Sequence, residues 1–329
     1  IRTATVMGGT VSWSVGGGIV ADSDPAAEYA ESLHKGRTLA AAVGAAPDAE
    51  AGPWCWHDGA LVPEREAAVP VTDLGLLRGF GLFETMRADG GRVPLLADHL
   101  ARLAASWRTL MPSPSPDLDW ATIVARVIVA NGLVDVPTRV RLVATRGTRT
   151  APPWDHRLTI MAGRYVHRLA AYGVAALALA TYPQPRQTPL AAHKTLSYIY
   201  NNQAGEWAGA RGCHEALVLN PDGTVSEGNS TGILVVRGRV VTRPESPAAL
   251  PSVMAAAVCR QLAVWGYTVS TAPVHPDELP AADLVLATSG MMGAVPVGSL
   301  DGRPCRTDSD LWRRLNDAII PGWDHDRPG

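Results

Sequence analysis

The chain has 329 residues, 47% of them hydrophobic and 18% charged, with 32 Gly and 26 Pro; this implies two loop-rich globular units and an appendage, and argues against a disordered or fibrous protein. Lys and Arg number 29 against 31 Asp and Glu, a formal net charge of -2 with no basic block, which argues against a nucleic-acid partner. The longest apolar stretches, such as residues 174–181, are strand-sized and too short for a membrane span.

Residues 1–22, IRTATVMGGTVSWSVGGGIVAD, read as two short strands joined by a Gly-Gly turn and closed by Gly16 to Gly18. Asp24, Pro25, Glu28 and Glu31 then open a helix reaching about Ala42, with Pro and acidic residues at the end that favours them. On the residues alone, a glycine loop beside two carboxylates is either a plain turn or an anion and metal site. IRTA, GGGIVADSDP and the glutamate helix resemble the C-terminal end of the chorismate-utilising enzymes, among them anthranilate synthase and component I of aminodeoxychorismate synthase. The resemblance implies chorismate contacts at Arg2 and Gly16 to Gly18 and a magnesium ligand at Glu28 or Glu31. Residues 1–43 are too few to bury the core of such a site, so they read as a remnant without chorismate chemistry. A start at Ile1 reads as part of something longer, and the parent fusion would associate with a glutamine amidotransferase or a synthase component. Residues 44–53, Ala-, Pro- and Gly-rich without apolar period, read as a linker.

A new start follows at Trp54. Residues 73–103, DLGLLRGFGLFETMRADGGRVPLLADHLARL, predict a glycine-punctuated loop, a strand over 82–87, a turn at 89–91, a second strand, and an amphipathic helix from about Ala97 with Leu100, Leu103 and Trp107 on its apolar face. A helix over 117–132 ends at Asn131-Gly132, and a strand over 139–147 leads into a loop carrying Arg146 and Arg149. The small domain, 54–165, closes near there, and a larger one, 166–329, begins. After a strand over 174–181, the Pro-rich loop of residues 183–212 delivers His193 and Lys194 to the start of a helix. Such a lysine is usually a surface charge, but a partly buried one has the depressed pKa that a nucleophilic amine needs. Residues 214–236, HEALVLNPDGTVSEGNSTGILVV, predict strand, turn, a Ser-Glu-Gly corner at Glu227, and strand. A helix opened by Pro251 and Ser252 has first-turn N–H groups suited to phosphate, and residues 282–290 give a buried strand ending in Thr288, Ser289 and Gly290.

The ordered set of Asp, Gly-x-Gly, Phe-Glu-Thr, His-x-x-Arg-Leu, a lysine, a glutamate 33 residues later, and a Thr-Ser-Gly strand end resembles the fold type IV pyridoxal-phosphate enzymes, the superfamily of aminodeoxychorismate lyase and the branched-chain aminotransferases. The resemblance implies an α+β fold of two domains, a small N-terminal α/β domain and a larger C-terminal domain built on a β-barrel-like sheet with helices. It implies pyridoxal 5'-phosphate on Lys194, its ring nitrogen facing Glu227, and its phosphate held by Arg102, Val253, Met254, Ser289 and Gly290. Arg78, Arg146 and Arg149 are candidate cations for substrate carboxylates. Two corners depart from the family: Gly232, Ile233 and Leu234 stand where Asn, Ile and Phe are usual, and Pro251 to Ala255 lacks the usual Thr and Arg, which implies weaker phosphate affinity. The expected activity is a lyase giving p-aminobenzoate and pyruvate from aminodeoxychorismate; a branched-chain or D-amino-acid aminotransferase and a non-catalytic binding domain stay open. The four scattered cysteines, Cys55, Cys213, Cys259 and Cys305, argue against zinc and disulfides and suit a cytoplasmic protein, and no metal is expected in the catalytic body. Relatives imply a homodimer.

Overall fold

The computed structural model describes residues 3–7, 10–14, 52–186 and 188–320. Strands β1 (Thr3–Met7) and β2 (Thr10–Ser14) pair antiparallel, as the Gly-Gly turn predicts. The expected glycine loop and glutamate helix of residues 15–42 lie outside the described residues.

The first sheet is built from β3 (Trp54–His57), β4 (Ala60–Pro63), β5 (Gly81–Ala88), β6 (Thr138–Thr145) and β7 (Arg157–Arg164), in the antiparallel order β4-β3-β7-β6-β5. Along β6, Thr138, Val140 and Leu142 are buried while Arg139 and Arg141 are exposed, the period-2 signature of a sheet with one wet face. Three helices join this unit: α1 (Leu74–Arg78), α2 (Leu96–Leu110) and α3 (Trp120–Ala130). Leu103 and Trp107 of α2 pack with Met86, Val127, Leu142 and Ile160 in one core, and Trp107 Nε1 donates to the Ser113 carbonyl at 2.8 Å. The second strand expected after the 89–91 turn is reduced to one bridge between Asp89 and Arg92, because the chain turns at once into α2.

Through residues 165–167 the chain enters a second unit. It contains α4 (Arg168–Tyr172), β8 (Leu177–Thr181), α5 (Ile199–Gly209), β9 (Glu215–Leu219), β10 (Val225–Gly228), β11 (Gly232–Arg237), β12 (Val240–Pro244), α6 (Val253–Val264), β13 (Thr268–Ala272), β14 (Leu284–Ser289), β15 (Gly293–Leu300), β16 (Arg303–Pro304) and α7 (Leu311–Ile319). The strands run β10-β9-β8-β15-β14-β11-β12-β13 with β16 on β15. β10 lies against β11 as well, so the sheet curls into a half-barrel. The pairs β8–β9, β8–β15 and β12–β13 are parallel and the rest antiparallel. Leu234, Leu262, Leu286 and Leu315 are fully buried in its core. Among the described residues no helix is long and apolar enough to cross a membrane.

Candidate active site

A cavity of about 1620 Å³ opens between the two units. Lys194 sits in its wall on the loop between a short 3-10 turn (Pro189–Ala192) and α5. That loop is sewn to the start of β5: Phe83 N donates to the Lys194 carbonyl at 2.9 Å and Leu196 N to the Gly81 carbonyl at 3.0 Å. Gly81 is required there, since a Cβ would collide with the Ala144 carbonyl and the Leu196 side chain. The Lys194 amine lies 4.4 Å from the Phe83 ring centroid and 5.5 Å from that of Tyr198. Burial, with the Arg102 and Arg141 cations nearby, lowers its pKa to about 8 against the opposing pull of Glu84 and Glu227.

Glu227 lies within β10, just after a register shift in its pairing with β9, and is 6% exposed. One carboxylate oxygen takes an ion pair from Arg186, and the other accepts the Leu250 N–H at 3.0 Å. Burial pushes this carboxyl up to about 7 against the pull of Arg186, the Leu250 N–H and Lys194. An amine and a carboxyl that both titrate near neutrality, each perturbing the other, are suited to hold and move protons at pH 7.

Ser252 caps α6, its Oγ accepting from Ala255 N at 3.2 Å, so the first-turn N–H groups of Val253 and Met254 have no partner within the helix. Thr288 and Ser289 end β14, with Gly290 just after them, in the wall of the same cavity. Ser289 Oγ accepts from Met292 N at 3.2 Å and keeps its own proton to donate. Arg102 reaches across from α2, donating to the Pro251 carbonyl at 2.9 Å. A lysine of depressed pKa, a facing carboxyl and a cup of helix N–H groups, hydroxyl and guanidinium form a donor set that fits pyridoxal 5'-phosphate.

The structure therefore gathers Arg78, Arg102, Lys194, Glu227, Val253, Ser289 and Gly290 around one cavity. The Met254 side chain is in the core, leaving only its backbone to the cup. Two expected substrate cations stand elsewhere. Arg146 is 7% exposed, donates to the Arg149 carbonyl at 2.8 Å and lies 4.4 Å from the Trp154 ring centroid, so its own loop occupies it. Arg149 is outside the cavity lining; its N–H is bonded to Asp155. In their place the cavity carries Arg139, Arg141 and Arg164, cations that sequence reading passed over. The signal for two of them was the alternation along β6, which puts 139 and 141 on the same outward face. Arg186 and Tyr198 were also missed; only tertiary packing brings them to Glu227 and Lys194.

Residues 81–300 match the family described as amino-transferase class IV. The chain belongs to that family. Residues 1–41 of this class IV enzyme are similar to the family described as chorismate binding enzyme. A putative branched-chain-amino-acid aminotransferase of Methanocaldococcus jannaschii is 30% identical over 253 residues, 75% of this chain and 87% of its own. A bifunctional aminodeoxychorismate lyase / D-amino acid transaminase of Mycobacterium tuberculosis is 27% identical over 80% of this chain and 97% of its own. Among solved structures, the fold IV-transaminase CpuTA1 of Curtobacterium pusillum superposes with a TM-score of 0.71 at 26% identity, over 79% of this chain and 90% of its own. The two-sheet architecture described above is thus the class IV fold.

Proposed function

We propose that this class IV enzyme is a pyridoxal-phosphate-dependent lyase that converts aminodeoxychorismate to p-aminobenzoate and pyruvate. The observation that carries the reading is the union in one chain of a class IV body with a stretch similar to chorismate-binding enzymes. A chorismate-using synthase makes the substrate that such a lyase consumes. The lyase activity named for the Mycobacterium relative supports the same choice.

When bound, pyridoxal phosphate supplies an electron sink for the carbanion left as a carbon gives up its proton. Lys194 holds the cofactor and, with its amine near neutral pKa, takes and returns that proton. Glu227 would face the ring nitrogen and hold a proton there, with Arg186 keeping the carboxylate oriented. The substrate carries two carboxylates, and the cavity is charged to receive them. Glu227 is the one acidic residue in its described lining, against Arg78, Arg139, Arg141 and Arg164, for which no ion-pair partner is found among the described residues. Arg141 acts on Lys194 electrostatically, its guanidinium 4.8 Å from the same Phe83 ring that Lys194 faces.

The test is direct. The purified full chain with pyridoxal phosphate should release p-aminobenzoate and pyruvate with no keto acid added, and Lys194→Ala should abolish the release. Arg141→Ala should raise KM about tenfold or more, the loss of one charge-assisted contact. Strict dependence on a keto-acid acceptor, with glutamate or a D-amino acid consumed, would replace this reading by an aminotransferase, the activity named for the Methanocaldococcus relative. We further infer a homodimer. Val71, Leu76, Leu77 and Ile199 are 60–77% exposed, and Leu77 and Ile199 adjoin the lining residues Arg78, Tyr198 and Tyr200, so a partner subunit seated there would cover apolar side chains next to the cavity.

A further inference from the structure

The cup for the cofactor phosphate is braced from behind by a buried carboxylate. Glu84, in the middle of β5, is 1% exposed and lies outside the cavity lining. Its Oε1 accepts from Arg102 Nε at 2.8 Å and its Oε2 from Arg102 Nη2 at 2.6 Å. The same Oε2 lies 2.8 Å from His99 Nδ1. His99 is itself 2% exposed, and its ring packs on Gly290 so closely that a Cβ there would sit 2.9 Å from Cε1 and Nε2. One carboxylate on the small domain thus fixes the guanidinium that crosses to Pro251 and the imidazole that backs the end of β14.

The donor count leaves the guanidinium able to grip an anion. A guanidinium has five N–H donors. Glu84 takes two and the Pro251 carbonyl one, which leaves two for a phosphate. Burial would push the Glu84 carboxyl up, but hydrogen bonds from His99 and Arg102 outweigh it and hold the group below the usual carboxylate range, so it stays ionised. A negative charge so close to an anion site opposes the anion by Coulomb's law and is justified only by what it orients.

We propose that Glu84 is the positioning residue of the phosphate cup, setting the Arg102 fork and the His99 ring before the cofactor phosphate arrives. The proposal rests on the pyridoxal-phosphate reading and predicts a sign opposite to that of charge alone: neutralising Glu84 weakens phosphate binding.

The experiment titrates the full chain, freed of cofactor, with pyridoxal 5'-phosphate and in parallel with pyridoxal, which lacks the phosphate. For Glu84→Gln the affinity for pyridoxal 5'-phosphate should fall roughly tenfold or more, as loss of an orienting partner typically does, while that for pyridoxal changes less than about twofold. A merely structural role would weaken both alike. Equal loss for both ligands, no loss, or tighter phosphate binding overturns the proposal. Should Glu84→Gln fail to give a folded protein by circular dichroism, His99→Gln decides with the same ratio: a fall supports the proposal and an unchanged ratio overturns it. A wild-type chain with no preference for the phosphorylated ligand would overturn the cofactor reading and this proposal with it, whereas a preference undiminished in the variants overturns the proposal alone.

Discussion

Lys194 concentrates the chemistry because it is unusual in this chain. The sequence holds 27 arginines but two lysines, Lys35 and Lys194, and Lys194 alone lies in the class IV body. Arginine stays protonated, so it serves anion binding but not covalent capture of an aldehyde, and the body keeps a single lysine for that task. With its pKa lowered to about 8, the amine gains its free-base form through the neutral range. The rate of cofactor capture by the cofactor-free protein should therefore rise from pH 6.5 to about 8 and level off near pH 9; a rise continuing to pH 10 would contradict it. Arg141→Gln removes a cation that lowers this pKa, so it should shift the midpoint upward. Stability follows pH in the same direction. A lysine depressed in the fold favours folding above its unfolded pKa and loses that contribution as pH falls through about 8. At pH 7 the cofactor-free Lys194→Met protein should be more stable than wild type by up to about 3 kcal/mol in urea denaturation.

Individual elements explain how a loop lysine is held to fixed geometry. The Lys194 loop is bonded to β5, and β5 is bonded to β6 along its whole length from Gly81 to Ala88. Gly81→Ala should displace the loop, lowering cofactor affinity with far-UV circular dichroism nearly unchanged. Trp107 anchors the helix that carries Arg102; Trp107→Ala should cost about 3–5 kcal/mol from the cavity it leaves, read as a lower denaturation midpoint. Much of this was legible beforehand. The helix around Leu103 and Trp107, the strand over 82–87, the turn at 220–223 and the strand ending in Ser289 all declare themselves through period, punctuation or motif, whereas the corner read at Glu227 is part of strand β10. The charges that complete the site do not. Arg186 precedes Glu227 by 41 residues, and Glu84 precedes Arg102 by 18, separations to which local pattern is blind. Arg146 and Arg149 misled because a loop arginine after a strand looks free in sequence, whereas Trp154 and the Arg149 carbonyl occupy Arg146.

At the scale of the molecule, the cavity between the small sheet and the half-barrel requires both units. Arg102 and Phe83 come from the first; Lys194, Glu227 and the α6 N-terminus come from the second. The contact from Arg102 to Pro251 joins them. Sequence motifs indicated both halves but not the exposure of Leu77 near the end of α1 and of Ile199 at the start of α5. Sedimentation should show a dimer, and Leu77→Glu combined with Ile199→Glu should give monomers; a monomeric wild type would contradict the inferred assembly. The most direct test of the whole account is where the cofactor attaches. After borohydride reduction of the protein loaded with pyridoxal phosphate, mass spectrometry of its peptides should find the phosphopyridoxyl group on Lys194; label confined to Lys35, or none on either lysine, would contradict it.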